Sequence, residues 1–183
     1  MRFLELGVRM AMYISEDKVF LRDFSVEDIE RKVQWINDPR NNEYLHYDLP
    51  LVYDKTLKWF LGRNLAKRLD CTIEYDGVPV GLIGLLEIDY FHKKAEFYIC
   101  LGEHQYKGRG IAKASIKMLL KYAFCELGLN KVYLNVDADN EVACKLYERS
   151  GFTCEGCFKK DMFHRGRYID RKRYAILAES WGK

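Results

Sequence analysis

The period of the apolar positions changes several times along the chain, and each change marks an element. Lys18–Asp23 (KVFLRD) alternates apolar and polar residues, as a half-buried strand does. Ser25-Val-Glu-Asp28 reads as a helix start, with a capping hydroxyl and acidic residues in the first turn. Ile29, Val33 and Ile36 then recur at helical spacing until Asp38-Pro39 stops the run. A second helix is expected over Lys55–Arg68, with Leu57, Phe60, Leu61 and Leu65 on one side. Cys71–Tyr75 and Val80–Ile88 form a strand pair around Asp76-Gly77, a hairpin dipeptide. Ala95–Leu101 is a third apolar strand. A helix from about Arg109 to Leu127 follows, burying Ile111, Ser115, Met118, Tyr122 and Leu127, and Gly128 ends it. Lys131–Asp137 is again a strand, Asn140 caps a short helix through Arg149, and Phe152–Phe158 and Tyr168–Leu177 complete the set.

This order, hairpins early and crossover helices later, predicts a mixed α/β fold: a mostly antiparallel central sheet of six to seven strands flanked by helices. With no repeat, low-complexity tract or linker, residues 18–183 are expected to form one domain and residues 1–17 an N-terminal extension.

Composition narrows the class without naming it. The 183 residues are 49% hydrophobic and 31% charged, which excludes disordered and fibrous chains. A formal charge of +3 gives no reason to expect a nucleic-acid partner. No window approaches the ~20 apolar residues of a membrane span, and the N-terminus lacks a secretory pattern, so a cytoplasmic location is expected. The six cysteines lie in apolar or helical contexts, as small buried hydrophobes do. Cys154-Glu-Gly-Cys157 falls in a predicted strand, where residues three apart face opposite sides, which argues against a metal site.

The candidate chemistry lies in Gln105-Tyr106-Lys107-Gly108-Arg109-Gly110-Ile111-Ala112, at the mouth of the long helix. A helix N-terminus offers unpaired N–H groups and the positive end of the macrodipole, and glycine lets a ligand approach the main chain. The loop therefore suits a pyrophosphate. It lacks the third glycine of a dinucleotide loop and the Lys-Ser/Thr of a Walker loop.

Two motifs together give the chain a resemblance to the GNAT superfamily of acyl-CoA-dependent N-acyltransferases. Gln105 to Gly110 matches the [QR]-x-x-G-x-[GA] loop, and Asn140 to Phe152, NEVACKLYERSGF, matches the later N-x-x-A-x-x-x-Y-x-x-x-G-F signature. The resemblance runs from about Lys18 to Leu177 and is shared with polyamine, ribosomal-protein N-terminal and amino-sugar acetyltransferase branches. It implies a splayed strand pair, acetyl-CoA as co-substrate, no metal, and direct transfer without an acyl-enzyme. By the same resemblance, Cys100 or Leu101 supplies a main-chain oxyanion donor and Tyr147 is the acid for the leaving thiolate. Glu96 is a candidate base, with Glu87 and Asp89 as competitors. Asn135, Asn140 and Ala143 are expected near the coenzyme, alongside the loop residues.

Trp35, Glu43, Tyr44 and His46, with Glu87, are the expected acceptor residues, since an aromatic and acidic group suits a cationic amine. The basic tail Lys159–Arg173 suits an anionic acceptor instead, so a small-molecule amine and a peptide N-terminus both stay open. A hydrophobic staple or a dimer contact would explain the acceptor aromatics equally well, so a homodimer or higher homo-oligomer stays open. The alternative to an enzyme is a non-catalytic acyl-CoA sensor of the same fold.

Overall fold

The computed structural model describes residues 12–182. Its centre is one eight-stranded sheet in the order β1-β2-β3-β4-β5-β6-β8-β7. The strands are β1 (Tyr13–Glu16), β2 (Val19–Asp23), β3 (Leu69–Tyr75), β4 (Val78–Asp89), β5 (Lys94–Leu101), β6 (Lys131–Asp137), β7 (Thr153–His164) and β8 (Arg167–Leu177). Every neighbouring pair is antiparallel except β5–β6. The strand beyond the expected six to seven is β1, which comes from within the segment read as an extension. Tyr13–Glu16 pairs with β2, and Met12 is buried in the core; residues 1–11 of that segment lie outside the described residues.

Between β2 and β3 run α1 (Ile29–Asn37), the single turn α2 (Pro39–Asn42) and α3 (Tyr53–Leu61). Asp28 fixes the start of α1. It accepts from the Ser25 main chain at 2.9 Å, from Arg22 at 2.7 and 2.8 Å and from Thr72 at 2.9 Å, joining the helix to β2 and β3. The expected helix over Lys55–Arg68 ends early, at Gly62. Beyond it, Arg63 and Arg68 turn inward to share the buried carboxylate of Asp70 at 3.1 and 2.8 Å. Tertiary ion pairing there outweighs helix propensity. On the other face, α4 (Ile111–Lys121) closes with a π-helical turn over Tyr122–Glu126, and α5 (Glu141–Arg149) follows β6.

The core divides accordingly. Leu85, Phe97, Ile116, Leu119, Val132 and Leu134 belong to the larger cluster, on the α4 and α5 side. Phe24, Ile29, Trp35 and Leu82 form a smaller one under α1 and α3. Into this second cluster α1 inserts Lys32, which is 5% exposed, its Nζ 3.4 Å from the Trp59 ring centroid and 6.0 Å from that of Tyr47. Burial pushes the Lys32 ammonium down to about 7; Arg68 and Arg63 act in the same direction, while Asp70 opposes them.

A folded-state value below the free lysine value means that the unfolded chain holds the extra proton between those two pH values, so stability rises with pH across that window. Lys32→Met is therefore expected to be more stable than the parent by about 2 kcal/mol or more near pH 6.5, with the difference shrinking toward about pH 9.5. Urea midpoints at the two pH values test this; a pH-independent difference would remove Lys32 as the cause.

Candidate active site

Pairing between β5 and β6 is limited to Lys94 with Lys131, Ala95 with Val132 and Glu96 with Tyr133. Beyond Glu96 the strands part, each still held by its outer neighbour, β4 or β8. Main-chain groups of 97–101 facing β6 therefore meet an opening. Strand alternation tells which ones. The Gly102 N–H donates to Val80 O at 2.9 Å, so even-numbered residues of β5 direct their N–H groups to β4 and odd-numbered ones to the gap. Of the two candidate donors, the N–H of Leu101 faces the gap, with that of Ile99 beside it, and the N–H of Cys100 belongs to the ladder. Only the strand register carries this distinction.

At the mouth of α4, Gly108 and Gly110 have φ of +77° and +80°, and a Cβ at either would meet nothing within 4 Å. Glycine is needed there for its left-handed backbone, and the space over the loop is open. Gly110 caps the helix and Ala114 makes the first return bond to its carbonyl at 3.0 Å, leaving the N–H groups of Ile111, Ala112 and Lys113 without intrahelical partners. Arg109 stacks on Tyr106 at 5.2 Å, Tyr106 packs on Tyr75, and Lys107 donates to Asn41 at 2.9 Å. Gln105 lines a cleft of about 400 Å³ with Gln34, Asp38 and Glu103.

Tyr147, on α5, packs against Phe97, Phe152 and Tyr174 with ring centroids 6.2, 5.9 and 6.2 Å away. Burial raises its phenol well above the ordinary range, and the thiols of Cys144 and Cys100 add to the shift. The group stays protonated at neutral pH and is a hydrogen-bond donor. Burial likewise pushes the Cys100 thiol up to about 11, against the pull of Lys107 and Lys32.

Glu96 lies on the opposite face from Phe97. Its carboxylate accepts from Asn135 Nδ2 at 2.9 Å, and Asn135 Oδ1 accepts from Arg173 at 3.2 Å. Both ends of the Asn135 amide are engaged, so this residue, expected near the coenzyme, holds the Glu96 carboxylate. Asn140 caps α5 through the Ala143 N–H at 3.1 Å, and Ala143 packs on the core. Glu87 sits exposed in a bulge of β4 at φ +48°. Burial first, then the charges of Glu96, Glu87 and Asp89, raise the phenol of Tyr133, while Arg173 opposes them.

The acceptor wall departs most from expectation. Trp35 is buried rather than presented: it donates to Glu103 at 2.9 Å, and a Cβ on Gly102 would fall 2.1 Å from its ring. Glu43 is exposed and Tyr44 half-buried, while His46 contacts Asp137 at 3.0 Å. Reading the sequence missed Lys32, Asp70 with Tyr98 at 2.7 Å, and Asp137. It also placed Cys154 and Cys157 on opposite faces. A bulge at Glu155 pairs them with Tyr174 and Lys172, two residues apart on β8, so both share one face, exposed and free.

A splayed strand pair, a glycine-lined helix mouth and a buried tyrosine on the following helix define an acyl-CoA-dependent acyltransferase site. Residues 18–153 match the acetyltransferase (GNAT) domain, and the chain belongs to that family. It is 44% identical over 131 residues to spermidine N(1)-acetyltransferase of Vibrio cholerae, covering 71% of this chain and 69% of that protein. The Escherichia coli enzyme of the same name is 37% identical over 109 residues, 60% of this chain and 58% of its own length. The crystal structure of the Vibrio cholerae spermidine N-acetyltransferase in complex with CoA and spermine superposes with a TM-score of 0.84 at 28% identity, over 92% of this chain and 100% of that one. A dodecameric structure of the Vibrio cholerae enzyme gives 0.78 at 28% identity, over 92% of this chain and 98% of that one. The chain is an N-acetyltransferase and uses acetyl-CoA.

The contact between Trp35 and Gly102 ties the acceptor wall to the coenzyme loop. Gly102→Ala is expected to cost about 2–3 kcal/mol of stability by overpacking and to weaken CoA binding. Urea unfolding and calorimetric CoA titration test this; a variant indistinguishable from the parent in both would show that the ring yields freely.

Proposed function

We propose that the chain moves an acetyl group directly from acetyl-CoA to a primary amine of a small polyamine-class acceptor. The observation that carries this reading is the opening beyond Glu96 and Tyr133, with a carboxylate on one face and the buried Tyr147 packed against the other. The names of the similar enzymes and the carboxylate charges acting on Tyr133 support a cationic acceptor.

The chemistry follows from the parts. An alkylammonium titrates near ~10.4 and must lose a proton before it can attack. Glu96, held in place by Asn135, takes that proton, directly or through water. Attack on the thioester carbon builds negative charge on oxygen, which the Leu101 N–H meets at the gap. Collapse breaks the carbon–sulfur bond and expels the CoA thiolate, and the second proton left on the amide nitrogen passes, directly or through water, to that sulfur to give the free thiol. Because the Tyr147 phenol is shifted upward, complete transfer of its proton to a thiolate is uphill; its part is to donate a hydrogen bond to the departing sulfur. The acceptor enters from the side of α1, α3 and the loop carrying His46. A homo-oligomer in the cytoplasm completes the reading, supported for assembly by the dodecameric relative.

An amine panel of spermidine, amino sugars, aminoglycosides and short peptides, read by released CoA thiol, tests the function. Thiol release with spermidine supports it; no release with any amine would favour an acyl-CoA sensor. Tyr147→Phe is expected to lower kcat about tenfold or more with little change in acetyl-CoA binding, and Glu96→Gln to lower kcat/KM about a hundredfold with a flattened acid limb of the pH profile. Full turnover in Tyr147→Phe would reduce that residue to packing.

A further inference from the structure

We infer that Asp137 is the subsite for a second ammonium group of the acceptor, resting on the polyamine reading above. Asp137 closes β6, and its side chain is 2% exposed. One carboxylate oxygen, Oδ2, lies 3.0 Å from His46 Nε2. The other, Oδ1, is buried with no hydrogen-bond partner among the described residues. A buried carboxylate oxygen without a donor is costly, so a donor from outside is favoured there. His164 Nε2 is buried and equally unpartnered, and its ring stands edge-on to that of His46 at 5.0 Å.

No arginine of the β7–β8 hairpin bonds to Asp137, although Arg171 stands across the ladder from it with its own Nε buried and unpartnered among the described residues. Arg165 donates to the Asn42 carbonyl and side chain at 3.2 Å, Arg167 reaches Asp139 at 3.5 Å, and Arg171, which pairs with Asp137 across the ladder, reaches Asp161 at 3.5 Å. What results is a carboxylate with one oxygen that no arginine or lysine among the described residues bonds, beside the His46 ring and its edge-on neighbour His164. A ligand that donates hydrogen bonds and carries positive charge suits it; a neutral or anionic group does not.

Position makes this a subsite of the reaction. Tyr133, Asn135 and Asp137 follow one another on the same face of β6, and Asn135 is bonded to Glu96. Asp137 therefore stands one pleat, roughly 7 Å, beyond the residue that orients the base. An acceptor whose reacting nitrogen lies at Glu96 and whose chain runs along the open edge of β6 brings its next nitrogen to Asp137. His46, on the loop between α2 and α3, retains Oδ2 and covers the subsite, so the loop must shift to admit the ligand.

The test compares putrescine with n-butylamine, which differ only by the second amine, in the parent and in Asp137→Asn. In the parent, putrescine is expected to have the higher kcat/KM by about tenfold or more, and in Asp137→Asn that ratio collapses through KM. A parent that does not distinguish the two amines overturns the inference without any variant, as does a folded Asp137→Asn that keeps the ratio. A variant that loses efficiency toward amino sugars while keeping its putrescine preference assigns the carboxylate to hydroxyl recognition and also overturns it. Failure of the broader reading looks different: neither amine then releases thiol in either protein. In that case calorimetry of spermidine with the CoA-loaded protein decides, weaker binding to Asp137→Asn supporting the subsite and equal binding overturning it.

Discussion

Three paired residues and then none: the short contact between β5 and β6 sets everything else. A parallel pair that continued would consume the Ile99 and Leu101 N–H groups and close the sheet. Because it stops at Glu96, the sheet keeps its outer ladders, β4 with β5 and β6 with β8, and opens only in the middle. Main-chain donors that a sheet normally hides become available to a reacting carbonyl. The loop at Gly108–Gly110 and the helix behind it follow β5 directly in the chain, at the end of the strand where the gap opens.

The opening also separates two environments. On the α4–α5 side, the apolar cluster around Phe97 and Tyr147 suits a thioester and keeps a phenol protonated. On the other side, Glu96, Asn135, Arg173 and the carboxylates near Tyr133 form a charged surface. One strand supplies both, since consecutive residues of β5 face opposite ways. A charged side chain and an apolar one therefore flank the same opening from adjacent positions of β5. Lys32 adds a different element beneath the acceptor wall: a buried ammonium held by the Trp59 face rather than by a carboxylate.

Much of this was legible in the sequence, for identifiable reasons. The loop and the Asn140–Phe152 helix have fixed spacing because backbone geometry dictates it, and both lie where the motifs put them. Strand registers were less accessible. Whether Cys100 or Leu101 turns its N–H to the gap depends on Val80, twenty residues away and across a ladder. Cys154 and Cys157 changed relative orientation through one extra residue, Glu155. Side chains with two plausible partners were the hardest: Trp35 read as an acceptor contact and is packed on Gly102, and nothing in the sequence signalled that Asn135 bonds Glu96. Lys32 did leave a signal, three residues after Ile29 and four before Ile36, on the stripe that α1 buries. A lysine on an apolar stripe is discounted by habit, and here it enters the core.

The absence of a side chain at Gly102 has a consequence for the order of events. With the Trp35 indole pressed on the main chain there, and Glu103 bonded to its nitrogen, α1 and the segment leading to Gly108–Gly110 are joined by direct contact. A change that rigidifies one segment through that contact stabilises the other, and thermodynamic reciprocity makes such an effect equal in both directions. Any side chain at 102 would have to displace the indole first, so glycine there is the condition on which the two segments meet.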